Sequence, residues 1–306
     1  MTDLLSESST VPADEAALSA PRKGRRRLSR KLTVGLTLVG LIVLFGVIAP
    51  FLVQDPRAVS DLGLAGPSSA HWLGTTQTGQ DVLAQLAYGT RGSLLVGAIV
   101  GVLTTVLSAF FGIVGPYLGG FVDELFSLIS NVMLILPGLP LMIVISGYVH
   151  HKSIMLTALV LALTGWAAGA RVLRGQTLSV RGRDYVLASR ISGEKTWRVI
   201  CVEILPNLLP VLSSGFVFSI IFAILGEAGL SFIGVGATGS ITWGTMLGNA
   251  QNGQALLLGG WWWFVPPGLL IALLGCGLSL INFSNDEVIN PRLRAPRARA
   301  IRKAAS

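Results

Sequence analysis

Long runs of apolar residues alternate with short polar segments along this chain. Each run reaches or exceeds the roughly 20 residues that a helix needs to cross the hydrocarbon core of a bilayer. The alternating ten-residue segments that are typical of a membrane β-barrel do not occur in the sequence. The pattern predicts an all-α polytopic membrane protein with six transmembrane helices, at residues 32–53, about 91–118, 121–147, 154–178, 207–235 and 261–283.

The segments between these runs set the remaining boundaries. Residues 1–31 begin acidic and end basic, and we expect a disordered N-terminal tail there. Residues 54–90 are mixed in polarity, and residues 81–88 within them predict a short amphipathic helix at the membrane surface. Residues 91–283 then form a five-helix core, and residues 284–306 form a basic tail. The first apolar run is too long for a typical signal-peptide core, so a retained helix is favoured over a cleaved signal.

Composition supports the membrane class and argues against other classes. The chain is 52% hydrophobic and 12% charged, whereas a soluble domain carries about 25% charged residues. Its net charge of +8 would suggest nucleic-acid binding in a soluble protein. Here the basic residues flank the apolar runs, where orientation in the membrane and anionic lipid explain them. Cys201 and Cys276 lie in different kinds of segment and predict neither a disulfide nor a metal site.

The basic residues also orient the chain in the membrane. Of the 23 Lys and Arg, only Arg57, Arg91 and Lys152 fall in segments assigned to the outer side. The others precede the first run, lie in or beside the loop at residues 179–206, or lie in the C-terminal tail. Because positive residues are retained on the cytosolic side, both termini and this loop are predicted to be cytosolic.

The stretch at residues 181–210, here called the cassette, is polar and charge-rich. Residues 184–192 predict a helix with Asp184 near its positive end. Gly193 permits a sharp turn, and residues 194–203 predict a second helix. Pro206 follows, and proline suits the first turn of the next transmembrane helix.

Two interpretations of the cassette remain open on chemistry alone. The small residues Ala188 and Ser189 allow close approach by another protein. Arg side chains and Trp197 equally suit an amphipathic loop that rests on the lipid surface.

Glu227 is an acidic residue well inside an apolar run, where charge is costly and therefore a functional hypothesis by default. With Ser231 one turn later, it is a candidate residue of a pore or gate. The alternative is a structural carboxylate that pairs with a donor and stabilises a helix break before Gly229.

Three smaller features complete the survey of candidate chemistry. His150 and His151 are adjacent and point about 100° apart on a helix, which predicts an ordinary loop rather than a metal site. The tryptophans at 261–263 are typical of an interfacial aromatic belt, with sugar stacking as the alternative. Pro137 and Pro140 predict a kink in the third span.

The cassette resembles the EAA loop of permease subunits in ABC importers, whose pattern is roughly E-A-A-x3-G-x9-I-x-L-P. Leu187 and Ser189 stand where that pattern has its first and third residues. The residues that carry the resemblance are Ala188, Gly193, Ile204, Leu205 and Pro206.

The resemblance extends over residues 30–294 and is most similar to the C-type permease subunit of dipeptide and oligopeptide importers. Further blocks resemble that subfamily in the same order along the chain. They lie at residues 71–75, 79–83, 88–94, 119–124, 227–236, 243–247 and 290–294.

The resemblance implies a type I ABC importer permease fold in the cytoplasmic membrane and a set of partners. These are a second, homologous permease, two ATPase subunits and an extracytoplasmic solute-binding protein. The residues implied to contact the ATPase are Asp184, Tyr185, Ala188, Ser189, Gly193, Ile204, Leu205 and Pro206. The chain has no G-x-x-x-x-G-K-[ST] loop, so it is predicted to be no enzyme and to hold no cofactor, with ATP and magnesium bound by the ATPases.

The implied activity is transport by alternating access. Peptides are favoured, with oligosaccharides or nickel as alternatives. The rival classes are an ion-coupled secondary transporter, which needs midplane carboxylates and often inverted repeats, and a membrane enzyme, which needs convergent catalytic groups. The sequence supplies neither set.

Overall fold

The computed structural model describes residues 30–148, 153–237 and 239–289. Within these ranges the chain forms eleven α-helices, a 3₁₀ turn after the first (Ala49–Phe51), and π-helical segments at Phe110–Val114 and Val199–Ile204. The α-helices are α1 (Arg30–Ile48), α2 (Val82–Ala109), α3 (Gly115–Leu118), α4 (Gly120–Ile135), α5 (Gly138–Tyr148), α6 (Ile154–Arg181), α7 (Asp184–Ile191), α8 (Thr196–Arg198), α9 (Leu205–Phe232), α10 (Trp243–Asn252) and α11 (Trp261–Ile289).

Some predictions lie outside the described residues: almost all of the N-terminal tail, both adjacent histidines, and the basic tail after residue 289. α11 continues to Ile289, so residues 284–289 belong to the last helix rather than to the predicted tail.

Five of the six predicted spans are continuous helical stretches among the described residues. These stretches, which are long and apolar enough to cross a membrane, are Arg30–Phe51, Val82–Leu118, Ile154–Arg181, Thr196–Phe232 and Trp261–Ser284. The third predicted span corresponds to the pair α4 and α5, which are bent by 73° relative to each other and which pass the same test only when taken together. Leu136 at the break has a ψ of 113°, the extended conformation that a residue before proline favours. The predicted kink at Pro137 is therefore confirmed.

The segment before the second span corrects one prediction. Residues 81–88 do not form a separate helix on the membrane surface, because all but the first belong to the first turns of α2. Asp81 begins this helix by accepting a 2.8 Å hydrogen bond from the backbone N–H of Ala84. Val82, Ala84 and Leu86 are buried in the protein, so this part of α2 packs against other helices rather than against lipid.

Close contacts at small residues bring the helices together. A Cβ at Gly35 on α1 would lie 2.8 Å from the carbonyl oxygen of Gly277 on α11, and one at Gly101 on α2 would lie 2.7 Å from Ile220 on α9. Such approaches are how helices associate in a membrane, where apolar burial alone gives little driving force. α2, α6 and α9 thereby form the centre of the molecule, and α1 pairs with α11.

The segment between α1 and α2 folds over the start of α11. The indole N–H of Trp262 donates to the carbonyl oxygen of Thr75 at 3.2 Å, and Trp263 is buried in the core. Of the three consecutive tryptophans, only Trp261 is largely exposed. The predicted aromatic belt is therefore wrong for two of the three, since they contact protein.

Candidate functional site

The first cassette helix, α7, is attached to the molecule along one narrow row. Val186 is fully buried in a cluster with Tyr117, Val180 and Ile204. Arg190, one turn later, lies over the ring of Tyr117, 5.8 Å from its centroid, whereas Ile191 is 88% exposed. An eight-residue helix with one buried side chain leaves much of its surface free for another molecule.

The turn after α7 requires glycine because of its backbone conformation. Gly193 has a φ of +77°, in the left-handed region that residues with a Cβ avoid. Two backbone hydrogen bonds close the helix, from Gly193 N–H to Arg190 and from Glu194 N–H to Ser189, at 3.1 and 3.2 Å. This is the Schellman arrangement of a helix C-terminus. No atom lies within 4 Å of a Cβ built at Gly193, so conformation rather than space excludes other residues.

The second cassette helix is continuous with the fifth span. α8, the π-helical segment Val199–Ile204 and α9 join into one stretch, Thr196–Phe232, of 37 residues. Pro206 stands in the first turn of α9 as predicted. Val199 and Ile204 are buried against α7, so the turn at Gly193 packs α7 directly onto the base of this span.

Several large apolar side chains are exposed on the cassette. They are Tyr185, Leu187, Ile191, Trp197 and Val202, and this exposed set is called the docking face below. Beside it lies an open groove of about 590 Å³, lined by Ser192, Gly193, Glu194, Lys195, Trp197, Arg198 and Val202. Apolar groups ringed by charged ones are typical of an interaction surface.

The predicted contact residues of the cassette separate into two groups. Asp184, Tyr185 and Ala188 are exposed, and Ser189 is half-buried with its hydroxyl donating to the carbonyl oxygen of Tyr185. Gly193 lies in the turn, and the last three predicted residues lie at the base of the cassette. There Ile204 is fully buried, Leu205 is half-buried and Pro206 is exposed.

An open cavity of about 620 Å³ lies between α2, α6 and α9. Its walls are apolar with scattered hydroxyls, contributed by Thr104, Thr105, Ser108, Thr164, Ser214 and Ser219. None of the described residues that line it is ionisable. Sequence reasoning missed this cavity. The available signal was the recurrence of Ser and Thr three or four residues apart inside apolar helices, which places hydroxyls on one helix face.

Glu227 and Ser231 do not line that cavity. The Glu227 side chain is 2% exposed, and its Oε1 accepts hydrogen bonds from the hydroxyls of Ser231 and Thr242, both at 2.7 Å. Thr242 also caps α10. The carboxylate therefore joins α9 to the start of α10, which favours the structural interpretation over the gate. α9 continues past Gly229 to Phe232, so the helix break expected there is absent from this described segment.

Trp243 holds α10 from the other side. Its indole N–H donates to the hydroxyl of Thr90 at 3.0 Å, and its backbone N–H donates to the hydroxyl of Ser93 at 2.9 Å. The side chain is fully buried. The hydroxyls of α2 and the carboxylate of α9 thus fix α10 from two directions.

No cluster of three or more His, Cys, Asp or Glu side chains that suits a metal ion occurs within residues 30–148, 153–237 and 239–289. Cys201 and Cys276 are free and exposed.

Comparison with known proteins agrees with this arrangement. The family described as "Binding-protein-dependent transport system inner membrane component" matches residues 105–295. The chain is 30% identical to the oligopeptide transport system permease protein OppC of Bacillus subtilis, over 88% of each chain. It is 32% identical to the dipeptide transport system permease protein DppC of the same organism, over 91% of this chain and 88% of that one. It is 30% identical to OppC of Mycobacterium tuberculosis, over 89% and 94%.

A solved structure of an inward-facing methionine ABC transporter, MetNI, has a similar fold. The TM-score is 0.50 at 19% identity, covering 69% of this chain and 97% of that chain. This likeness concerns the fold, whereas the family match and the relatives concern descent. The chain therefore belongs to the family of binding-protein-dependent transport system inner membrane components, the multi-pass permease subunits of ABC importers.

Proposed function

We propose that this chain is one permease of an ATP-driven importer that moves dipeptides or oligopeptides across the cytoplasmic membrane. The names of its relatives support the peptide class. The observation that carries the proposal is the docking face, a set of large apolar side chains exposed on a stretch that is otherwise polar and basic. A surface of this kind favours a protein partner that covers it.

The proposed occupant of the docking face is an ATPase subunit on the cytosolic side. The turn at Gly193 holds α7 against the base of α9, so force on α7 reaches a transmembrane helix through direct packing. Lys and Arg beside the cassette support a cytosolic position by the positive-inside rule. Both termini then lie in the cytosol as well.

The cavity between α2, α6 and α9 is the proposed half of a translocation pathway, completed by a second homologous permease. Its hydroxyls can accept hydrogen bonds from a peptide backbone without selecting side-chain charge, and those of Thr104, Ser108 and Thr164 already donate to backbone carbonyls of α2 and α6. A solute-binding protein outside the membrane would then set most of the specificity. ATP binding favours one of two arrangements of the assembly through contacts that exist in only that arrangement, which is alternating access.

The test is purification of the tagged chain from its own membranes in a mild detergent, followed by reconstitution in lipid nanodiscs. We expect an ATPase with a phosphate-binding loop, a second permease and a binding protein to co-purify. Hydrolysis of ATP should rise when the binding protein is loaded with a peptide. Stimulation by an oligosaccharide or by Ni²⁺ alone would contradict the peptide class, and the lack of any associated ATPase would contradict the importer.

A further inference from the structure

A glycine corner separates the second span from the third. α3 ends at Leu118 and is followed by Gly119, whose φ is +73°, and α4 starts at Gly120, whose φ is +56°. Two consecutive residues with a positive φ interrupt the helix between α3 and α4. Glycine also has the widest range of backbone conformations, so this corner would by itself allow α4 to pivot.

Three guanidinium groups hold the corner from outside. Arg181 at the end of α6 donates to the carbonyl oxygen of Pro116 at 2.8 Å. Arg190 of the cassette lies over the ring of Tyr117, 5.8 Å from its centroid. Arg174 of α6 donates from Nε and from a terminal nitrogen to the two carboxylate oxygens of Asp123, at 2.9 and 2.8 Å.

The Arg174–Asp123 pair is the strongest of these contacts and the one that reaches α4. A bidentate arrangement fixes direction as well as distance, because two parallel hydrogen bonds define the plane of both groups. Asp123 is 15% exposed and Arg174 is 39% exposed, so solvent screens the pair mainly from the side of the guanidinium. Asp123 also lies in the first turn of α4, where the helix dipole favours a carboxylate.

α4 leads from this corner to the cavity. Beyond the 73° bend, α5 places Met142 in a buried cluster with Val100, Leu161 and Ala223. The last three side chains also line the cavity. A continuous chain of contacts therefore runs from the cassette through the corner and the third span to the cavity wall.

We propose that the Arg174–Asp123 pair is a positioning link that makes α4 move together with the end of α6, where the cassette begins, so that displacement of the cassette reaches the cavity wall. This inference rests on the proposed function, since it concerns what happens when the ATPase displaces the cassette. The pair itself contacts neither the solute nor the docking face. Its loss should therefore affect transport relative to ATP hydrolysis rather than the binding of either partner.

The first test is the number of solute molecules transported per ATP hydrolysed, measured in the reconstituted complex for Arg174→Gln, Asp123→Asn and the double variant. Each single variant should lower this ratio about tenfold. The double variant should show no further loss, because either substitution removes the same interaction. A purely structural role would reduce the yield of complex and leave the ratio for the assembled complex unchanged.

The matched control is Arg171→Gln. Arg171 lies on the same helix and donates to the neutral amide of Asn131 on α4 at 2.7 Å. The substitution Arg171→Gln therefore removes an equal charge from the same helix pair without breaking an ion pair. The number of solute molecules transported per ATP should stay within twofold of the parent value. Arg174→Lys keeps the positive charge but loses the two parallel hydrogen bonds of the guanidinium. The number of solute molecules that it transports per ATP should lie between those of the parent and of Arg174→Gln.

The second test needs no ATPase. Hydrogen exchange of the detergent-solubilised chain should become faster at residues 119–123 in Arg174→Gln and stay unchanged in α7. Three results would each overturn the link. They are an unchanged number of solute molecules transported per ATP in Arg174→Gln, an equal loss in Arg171→Gln, and unchanged hydrogen exchange at residues 119–123 in Arg174→Gln. Failure of the parent complex to couple ATP hydrolysis to uptake would instead overturn the proposed function, and the exchange experiment would still decide whether the pair holds the corner.

Discussion

The two ends of this molecule are built on opposite principles. At the end that carries α10, polar groups are buried and paired: Glu227 with Thr242, Trp243 with Thr90. At the cassette end, large apolar side chains are exposed, and one buried residue of α7, Val186, attaches that helix to the core. The two ends therefore differ in how their short helices are attached: α10 is held by buried hydrogen bonds, and α7 is held by Val186 and by the contact of Arg190 with Tyr117.

This difference explains how one chain can be both anchored and movable. Buried hydrogen-bonded groups are costly to separate because each would lose its partner, so α9, α10 and α2 form a rigid unit. A small helix held by one buried anchor can be displaced by a partner at low cost. Substitutions at the two ends should therefore affect different measurements: stability at the α10 end and ATPase coupling at the cassette.

The largest effect on stability is expected from Trp243→Ala. It removes a fully buried side chain and an indole that donates to Thr90, and truncation of a buried aromatic residue costs about 3–5 kcal/mol. Thermal unfolding of the purified chain in detergent measures this loss of stability. Trp261→Ala is the matched control, because Trp261 is 57% exposed and its truncation should change stability by under about 0.5 kcal/mol. Equal effects of the two substitutions would contradict the rigid α10 unit.

A smaller and more local effect is expected from Gly193→Val. A residue with a Cβ in the left-handed region costs about 1–2 kcal/mol, which should open the turn between α7 and α9. ATPase association or coupled uptake should be lost while membrane insertion stays normal.

Gly193→Asn is the control for the turn. Asparagine tolerates the left-handed conformation better than other residues, and no neighbouring atom blocks its Cβ. We expect it to retain most of the association. Normal coupled uptake by the valine variant would refute the role of the turn.

Glu227→Gln should have a smaller effect still. The amide oxygen can accept the same two hydroxyl donors, and the other carboxylate oxygen has no hydrogen-bond partner among the described residues. We expect the free energy of unfolding to change by under about 1 kcal/mol and transport to remain normal. Uptake lost in a fully assembled complex would restore the gate interpretation.

The sequence predicted most of the fold because the relevant signals are local. Apolar run lengths predicted six spans, and Pro137 predicted the kink. The conformational freedom of glycine predicted the turn at Gly193. Each depends on residues that are close together along the chain.

The remaining features depend on contacts between distant residues. Arg174 and Asp123 are 51 positions apart, and Thr242 follows Glu227 by 15 positions, so no periodicity connects either pair. The π-helical segment Val199–Ile204 has no distinctive residue composition from which it could be predicted. The cavity appears only when three helices lie side by side.

Binding of an ATPase at the docking face is tested most directly by comparing one exposed residue at each end of the molecule. Ile191 on the docking face is 88% exposed and Leu257, between α10 and α11, is 83% exposed. Neither Ile191→Ser nor Leu257→Ser should change stability by more than about 0.5 kcal/mol. We predict that Ile191→Ser weakens binding of the purified ATPase by about tenfold or more, as loss of a central apolar contact does, whereas Leu257→Ser leaves it unchanged. Equal ATPase affinity for the two variants would contradict binding at the docking face.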